Sequence, residues 1–362
     1  MNLLSRIFKP LTAFILGAVM LAVSSCEKNG SGSEDGAVTN VIFTISMGEL
    51  DAGTRASNED WTDYDPKDEG TDFENKIDVS KLYVYFYDNN GAFVAAAQGL
   101  RLSAVANSKN VYQVVGKLDI PDGKLVNGTF SGRMAVFANM DKPGETALLA
   151  DATDVSDMTF SFDPEHPSYL PMWGLKTVRI EFAAGKRIEL DDTYLLRSMA
   201  KITVSLTQEM IDKGYAIDSL ALNRYNTVGY CLPGVINGLG DTQDLTFANT
   251  FHVNESALND GRLGFAGENS TSSKNLYVPE FDNSANPSTI SIKLKKNGVS
   301  EGKSYTLRFT QYDSNNVATD AKFNITRNHW YQYKVYKYSE HEMRATLSVR
   351  QWNRIVHEDI IL

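Results

Sequence analysis

The chain has 362 residues, of which 42% are hydrophobic and 22% charged, and its formal net charge is −10. This length allows about two domains, and the composition is typical of a soluble globular protein. The net negative charge argues against nucleic acid as a partner. The basic runs are also short, as at Lys293–Lys296. Tyr and Phe, at 17 residues each, favour β-structure.

Residues 1–25 are predicted to be a lipoprotein signal peptide. Arg6 and Lys9 provide a positively charged start, and residues 11–23 form an apolar segment that is too short for a membrane span. The segment is therefore expected to direct export and to lie outside the fold.

The end of this segment, Val-Ser-Ser-Cys at 23–26, resembles a bacterial lipobox, which predicts lipidation of Cys26 by palmitate and related acyl chains. A plain secretory signal cleaved near Ser25 is the alternative. With Cys26 lipidated, Cys231 would be the second and last cysteine, so no intramolecular disulfide is expected. Residues 26–40 are rich in Gly, Ser and acidic side chains and are predicted to form a flexible tether.

Residues 41–50 are predicted to form the first β-strand. One set of side chains alternates with polar or smaller ones and is expected to face a core: Val41, Phe43, Ile45 and Met47. A short polar segment follows, with Gly53 and a single arginine, Arg55, before the small Ala56. A protease specific for arginine could cut such a loop at the 55/56 bond, although an ordinary loop explains the same residues.

Further strands follow at short intervals, without a long helical period. In the first half, Asn90-Gly91 predicts a hairpin after residues 81–87, and residues 145–150 suggest a short helix. The alternating segments 178–182 and 186–190 predict a second hairpin. The other predicted strands cover residues 111–118, 132–139, 202–206, 217–222, 275–281, 289–294, 304–310 and 330–338. This spacing predicts an all-β protein with two β-sandwich domains, 41–185 and 186–362.

No pattern for catalysis or for a cofactor is present in the sequence. The five histidines lack metal-ligand spacing, and no nucleophile or phosphate-binding motif occurs. The acidic residues at 63–69 lack the glycine and terminal glutamate of a calcium loop, so a solvated loop is expected. Glu255 and Asp260 could form a carboxylate pair, but their separation is not readable from sequence. The chain is expected not to be an enzyme and to need no metal or cofactor.

Four short motifs and a late Trp352 occur in a fixed order. The motifs are YLPMWG at 169–174, LRSMAKITV at 196–204, YVPE at 277–280 and ITRNHWY at 325–331. Together with the lipobox and the Arg55 segment, they resemble the fimbrillin superfamily of Bacteroidota, which comprises type V pilins and their anchor proteins. The resemblance covers most of the chain from Cys26 onward.

This resemblance implies a transthyretin-like, Greek-key sandwich fold and a route of assembly. Subunits would reach the outer membrane as lipoproteins, and an Arg-specific protease would cut after Arg55. The cut would displace the first strand, and a donor strand of another fimbrial subunit would fill its place. In this chain the donor segment is predicted at 345–362, and its expected apolar contacts are Leu347, Val349, Trp352, Ile355 and Ile360.

Other roles remain open at this point. The segment 345–362 could instead be the last strand of its own domain. An anchor would keep its lipid and stay uncut, and a tip adhesin is a third role within the family. A surface glycan-binding lipoprotein is the alternative from another class, because exposed aromatic rings can stack on sugars.

Overall fold

The computed structural model describes residues 39–47, 71–106, 110–148, 158–182, 187–234, 258–265, 272–312, 318–339 and 342–351. These residues are almost entirely β-structure, which confirms the predicted all-β class. The predicted signal peptide, most of the tether, Arg55, Ala56 and the residues from Trp352 onward lie outside the described residues. None of the described helices is long and apolar enough to cross a membrane.

The first half of the chain forms one large sheet. Its elements are β1 (Thr39–Met47), α1 (Asp72–Asn75), β2 (Leu82–Asp88), β3 (Phe93–Ala96), β4 (Gln98–Ala104), β5 (Val111–Leu118), β6 (Thr129–Ala138), β7 (Thr159–Ser161), β8 (Met172–Glu181), β9 (Ile188–Glu189) and β10 (Thr193–Arg197). The strand order is β3-β2-β6-β8-β10-β1-β5-β4, and β9 also pairs with β1. Side chains of β1 and β5 share one core with those of β2, β6 and β8, so the sheet folds over onto itself.

The hairpin predicted at Asn90-Gly91 is confirmed. Strands β2 and β3 pair antiparallel across this turn, and Gly91 has a φ of +80°. A Cβ at Gly91 would lie 2.2 Å from the carbonyl oxygen of Leu148, so glycine is required by both conformation and space. Residues 145–148 are not helical, contrary to the expected short helix at 145–150. Leu148 is instead buried and donates its N–H to Gly91 O at 2.7 Å.

The hairpin predicted from segments 178–182 and 186–190 is wrong. The first segment ends β8, which pairs with β6 and β10, whereas the second contains β9, which pairs parallel with β1. Alternation identified both strands, but the choice of partner depends on long-range packing that alternation does not encode.

The second half forms two four-stranded sheets around a second core. Its elements are β11 (Ala200–Leu206), α2 (Gln208–Asp212), β12 (Tyr215–Asn226), β13 (Val228–Tyr230), β14 (Leu258–Gly264), β15 (Ser273–Val278), β16 (Thr289–Lys296), β17 (Val299–Arg308), β18 (Thr310–Tyr312), β19 (Ala318–Lys322), β20 (His329–Tyr338) and β21 (Met343–Gln351). The sheets have the orders β15-β11-β20-β21 and β14-β12-β16-β17, and the inward side chains of both meet in one cluster.

A third apolar cluster joins the two halves. Trp173 and Phe137, on the outer face of the β6-β8 region, share it with Cys231 and Tyr277 from the second half. The Cys231 side chain is fully buried in this cluster. Strand β7 is not part of the first sheet and pairs with β13 of the second half, whereas β9 and β10 belong to the first sheet. A domain boundary near residue 186 stays a prediction.

Candidate functional site: the slot of the first strand

Strand β1 lies inside the sheet and is hydrogen-bonded on both of its edges. It runs antiparallel to β5 from Thr39, opposite Leu118, to Ser46, opposite Val111. On the other edge it runs parallel to β9 and then to β10, where Met47 lies opposite Leu195. Removal of β1 would leave unpaired N–H and C=O groups along β5 and along the β9–β10 wall. We call the space that β1 fills between these walls the slot.

The predicted inward set of β1 is deeply buried. Val41 and Ile45 are fully buried, and Phe43 and Met47 are 2% and 3% exposed. They pack against side chains of β2, β6 and β8. Burial of four such side chains stabilises the fold by roughly 6–12 kcal/mol, which is comparable to the whole stability of a domain. An emptied slot would therefore need an equivalent strand.

On the outward face of β1, one hydroxyl is hydrogen-bonded and another is buried without a described partner. Thr44 donates its hydroxyl to the carboxylate of Asp192, which precedes β10. Ser46 is 7% exposed, yet no described residue accepts or donates a hydrogen bond to its hydroxyl, and the same holds for the buried hydroxyl of Thr193. Unpaired buried hydroxyls weaken a fold. In the β1–β10 pairing, Ser46 lies opposite Tyr194, and Thr193 lies opposite the inward-facing Ile45.

The predicted donor segment is only partly described. Leu347 and Val349 lie in β21, an edge strand, opposite Tyr333 and Tyr331 of β20. Both side chains are partly buried against the core of their own sheets. This placement corresponds to the alternative in which the segment is the last strand of its own domain, and donation to another subunit stays a prediction. Trp352, Ile355 and Ile360 are outside the described residues, as are Cys26, Arg55 and Ala56.

A buried polar network lies around Arg197, two residues after Leu195 of β10, which is opposite Met47. Its centre is Glu74 of α1, which is 0% exposed. The Glu74 Oε1 atom lies 2.7 Å from Lys201 Nζ and accepts a hydrogen bond of 2.7 Å from the Tyr277 hydroxyl. The other oxygen, Oε2, accepts the backbone N–H of Thr71 at 2.8 Å, and Thr71 Oγ1 in turn accepts the N–H of Glu74. This reciprocal pair is a helix capping box.

Two cations surround this carboxylate. Burial acts to raise the pKa of Glu74, but the charges of Lys201 and Arg197 and the hydrogen bonds outweigh it, so the pKa lies below the ordinary 4.5. Arg197, which is fully buried, donates to Glu74 O at 3.3 Å and to the Asn75 side chain. Trp330 covers Lys201, with the ammonium 4.1 Å from the ring centroid.

A second buried ion pair lies behind the first. Arg327 donates to Glu280 Oε2 from Nε at 2.8 Å and from Nη2 at 2.6 Å, and both side chains are at most 2% exposed. Arg327 also donates from Nη1 to the carbonyl oxygen of Cys231 at 3.3 Å. Burial lowers the pKa of nearby His329, whose Nδ1 lies 2.8 Å from Arg327 O.

Three of the four short motifs found in the sequence meet in these two networks. Arg197 and Lys201 belong to LRSMAKITV, Tyr277 and Glu280 to YVPE, and Arg327 and Trp330 to ITRNHWY. Their roles in this structure are to join strands that are distant in sequence. Sequence reasoning missed Glu74, although Thr71-x-x-Glu74 has the spacing of a capping box and could have indicated α1.

The described residues contain no group of three or more His, Cys, Asp or Glu side chains that could hold a metal ion. The suggested pairing of Glu255 with Asp260 is not tested, because Glu255 lies outside the described residues; Asp260 Oδ1 lies 3.1 Å from Arg224 Nε. The geometry thus provides strand pairing and buried ion pairs.

Comparison with solved structures identifies the fold. The tip fimbrial protein Mfa3 from Porphyromonas gingivalis, with a C-terminal truncation, matches with a TM-score of 0.51 over 87% of this chain and 100% of its own, at 14% identity. The chain shares the Mfa3 fold. A proposed cell adhesion protein from Parabacteroides distasonis matches at a TM-score of 0.50 and 16% identity, over 89% of this chain and 99% of its own. No protein-family model and no curated protein matches the chain.

The Mfa3 fold is the one implied by the resemblance to fimbrillins, and this expectation is confirmed. At such low identity the match shows the fold and leaves individual residue roles untested. The lipid on Cys26, the cut after Arg55 and the donor segment all stay predictions.

Proposed function

We propose that this protein is a structural subunit of cell-surface fimbriae, exported as a lipoprotein and assembled by strand exchange after proteolysis. The observation that carries this proposal is the placement of β1. The strand is hydrogen-bonded on both edges and buries four apolar side chains, yet the chain leaves it directly into the segment that holds Arg55. After a cut at Arg55–Ala56, only non-covalent contacts would hold β1 to the rest of the protein.

The emptied slot would then drive assembly. Its two walls would present unpaired backbone groups, and its floor would expose the core side chains of β2, β6 and β8. A strand added by another subunit would pair with the backbone groups of the walls and cover the apolar side chains of the floor. Assembly would therefore depend on cleavage. The partners are therefore other fimbrial subunits and an Arg-specific protease. The fold shared with Mfa3, a tip fimbrial protein, supports a role at the cell surface.

Lipid on Cys26 would hold the precursor at the outer membrane until it is cut. Labelling cells with a fatty-acid probe should mark the wild type and leave Cys26→Ala unlabelled. Equal labelling of both proteins would contradict the lipoprotein assignment.

The central test compares Arg55→Ala with Arg101→Ala. Arg101 is an exposed side chain in β4, but its backbone pairs with Val115 of β5, so a protease cannot bind it as an extended loop. The wild type and Arg101→Ala should yield a mature N-terminus at Ala56 and SDS-resistant ladders. Arg55→Ala should remain uncut and monomeric. Ladders of Arg55→Ala at the wild-type level would contradict the proposal.

A fimbrial anchor or tip protein is the second candidate. It is favoured by β21, in which Leu347 and Val349 pair with β20 of the same chain and need no second subunit. An anchor that keeps its lipid would retain Cys26 on the protein recovered from cells, even when the Arg-specific protease is active. The N-terminus of that protein therefore separates the two roles.

A further inference from the structure

One wall of the slot changes from apolar to polar beside a single side chain of β1. Along the β9–β10 wall, the inward side chains pair as Val41 with Ile188, Ile45 with Thr193 and Met47 with Leu195. The first and last of these pairs are apolar on both strands. In the middle pair, an aliphatic side chain of β1 lies opposite a hydroxyl-bearing side chain of the wall.

The side chain of Thr193 faces the core. It lies two residues before Leu195, whose side chain belongs to the first core, so both point to the same face of β10. Thr193 is 1% exposed. Its methyl group lies toward β8, because a Cβ added to Gly174 would come within 3.1 Å of the Thr193 Cγ2 atom. The hydroxyl of Thr193 is therefore enclosed beside Ile45, away from solvent.

This hydroxyl is left unsatisfied while β1 fills the slot. Among the described residues, none forms a hydrogen bond with it. Ile45 is aliphatic and fully buried, so it can neither donate to the hydroxyl nor accept from it. A buried hydroxyl without a partner weakens a fold, and a neighbouring group that bonds to it removes the penalty. A different occupant of the slot could supply that group.

We propose that Thr193 selects the strand that fills the slot, by favouring a donor with Ser or Thr at the place of Ile45. This inference rests on the proposed strand exchange. Opposite residues on neighbouring strands, which lie about 4.8 Å apart, are close enough for two hydroxyls to bond. The partner strand would thus carry apolar residues at the places of Val41, Phe43 and Met47, with one hydroxyl between the last two.

Exchange of β1 for synthetic peptides tests this selection. The purified chain would carry Cys26→Ser and a site for a second sequence-specific protease in place of residues 51–56. After cutting and mild denaturation, β1 is replaced by dye-labelled peptides of residues 39–47 that contain either Ile45→Thr or Ile45→Val. Valine has nearly the shape of threonine but lacks the hydroxyl, so the two peptides differ in the proposed hydrogen bond. Fluorescence anisotropy measures the affinity of each peptide.

The preference between the two peptides should depend on the wall hydroxyl. The cut protein with Thr193 should bind the Ile45→Thr peptide about threefold more tightly than the Ile45→Val peptide. Thr193→Val should change this ratio by about tenfold and reverse the preference, because the peptide hydroxyl is then buried alone. Thr193→Ser keeps the hydroxyl and should keep the preference. Peptides with Ile42→Thr and Ile42→Val are the matched control, since they differ on the half-exposed face, and Thr193→Val should leave their ratio unchanged.

The outcomes separate the two proposals. If the cut protein binds the Ile45→Val peptide as tightly as the Ile45→Thr peptide, strand exchange stands and selection by Thr193 is wrong. An unchanged ratio in Thr193→Val leads to the same conclusion. If no peptide binds, the slot accepts no added strand, and both proposals are wrong. If Thr193→Val does not melt cooperatively, Thr193→Ala replaces it, because that variant also lacks the hydroxyl.

Discussion

The carboxylate of Glu74 and the ammonium of Lys201 form a buried ion pair, 2.7 Å apart, that joins α1 to β11. The hydroxyl of Tyr277 in β15 binds the same oxygen. One side chain thus ties the segment that precedes β2 to two strands of the second half. Both residues lie downstream of Arg55, so a cut there would leave the two ends of this ion pair on the same fragment.

Removal of one partner of this pair should destabilise the protein strongly. Glu74→Ala removes the carboxylate that neutralises the buried Lys201 ammonium, which should lower the free energy of unfolding by about 3–5 kcal/mol. Replacing both residues by Met should restore part of this loss, because the Lys201 ammonium is then no longer buried without its carboxylate, whereas the buried Arg197 is the same in both variants. Urea denaturation of the wild type, the single variant and the double variant measures the difference. A double variant no more stable than Glu74→Ala would contradict this account.

The same carboxylate should contribute to acid sensitivity. Its folded-state pKa is lowered below 4.5, so its stabilising effect is present above about pH 4.5 and is lost as the pH falls through the folded value. The free energy of unfolding of the wild type should therefore drop more steeply between about pH 5 and pH 3 than that of Glu74→Gln. Urea titrations across this range, with Glu342→Gln as an exposed control, test the sign. Parallel curves for the wild type and Glu74→Gln would show that Glu74 does not titrate as described.

Truncation of the central aromatic residue of β1 should weaken the uncut protein. Phe43 is 2% exposed within the first core, so Phe43→Ala should lower the free energy of unfolding by about 3–5 kcal/mol. Its neighbour Ile42 points to the half-exposed face, and Ile42→Ala should lower it by only about 1 kcal/mol. Similar losses for both variants in urea denaturation would be inconsistent with the observed register.

Removal of the unpaired hydroxyl of Ser46 should strengthen β1 in its slot. Ser46→Ala abolishes a buried polar group without a described partner and should raise the free energy of unfolding by roughly 1 kcal/mol. Thr44→Ala is the matched control, because its hydroxyl binds Asp192 and its loss should bring no gain. Thermal melts of the two variants compare them directly. A lower melting temperature for Ser46→Ala would indicate that its hydroxyl is satisfied.

Two truncations should distinguish the parts of the predicted donor segment. Removal of residues 352–362 keeps every pair between β20 and β21, so folding should be unaffected. Removal of 343–362 also deletes Leu347 and Val349 from the core and should lower the free energy of unfolding by at least about 2 kcal/mol.

The shorter truncation also tests donation. If residues 352–362 supply the donor contacts through Trp352, Ile355 and Ile360, a folded protein without them should reach the surface and remain monomeric. Ladders at the wild-type level on SDS gels would show that these residues are not the donor.

Local patterns in the sequence predicted the strands well. The alternation in β1 indicated which side chains are buried, and Asn90-Gly91 indicated the β2–β3 hairpin, because both signals depend on neighbouring residues alone. The all-β class followed from the same local evidence. The ordered motifs led to the correct fold. The structure shows that charged residues of these motifs form buried ion pairs.

The sequence by itself determined which segments become strands and which faces turn inward, since a period of two is a property of consecutive residues. Only the tertiary structure decided the partners. It placed β1 between β5 and β10, paired β9 with β1 instead of β8, and joined Arg197 and Tyr277 to Glu74 across separations of 123 and 203 residues. Such pairings depend on how whole sheets fold over one another and exclude water, and no local pattern specifies them.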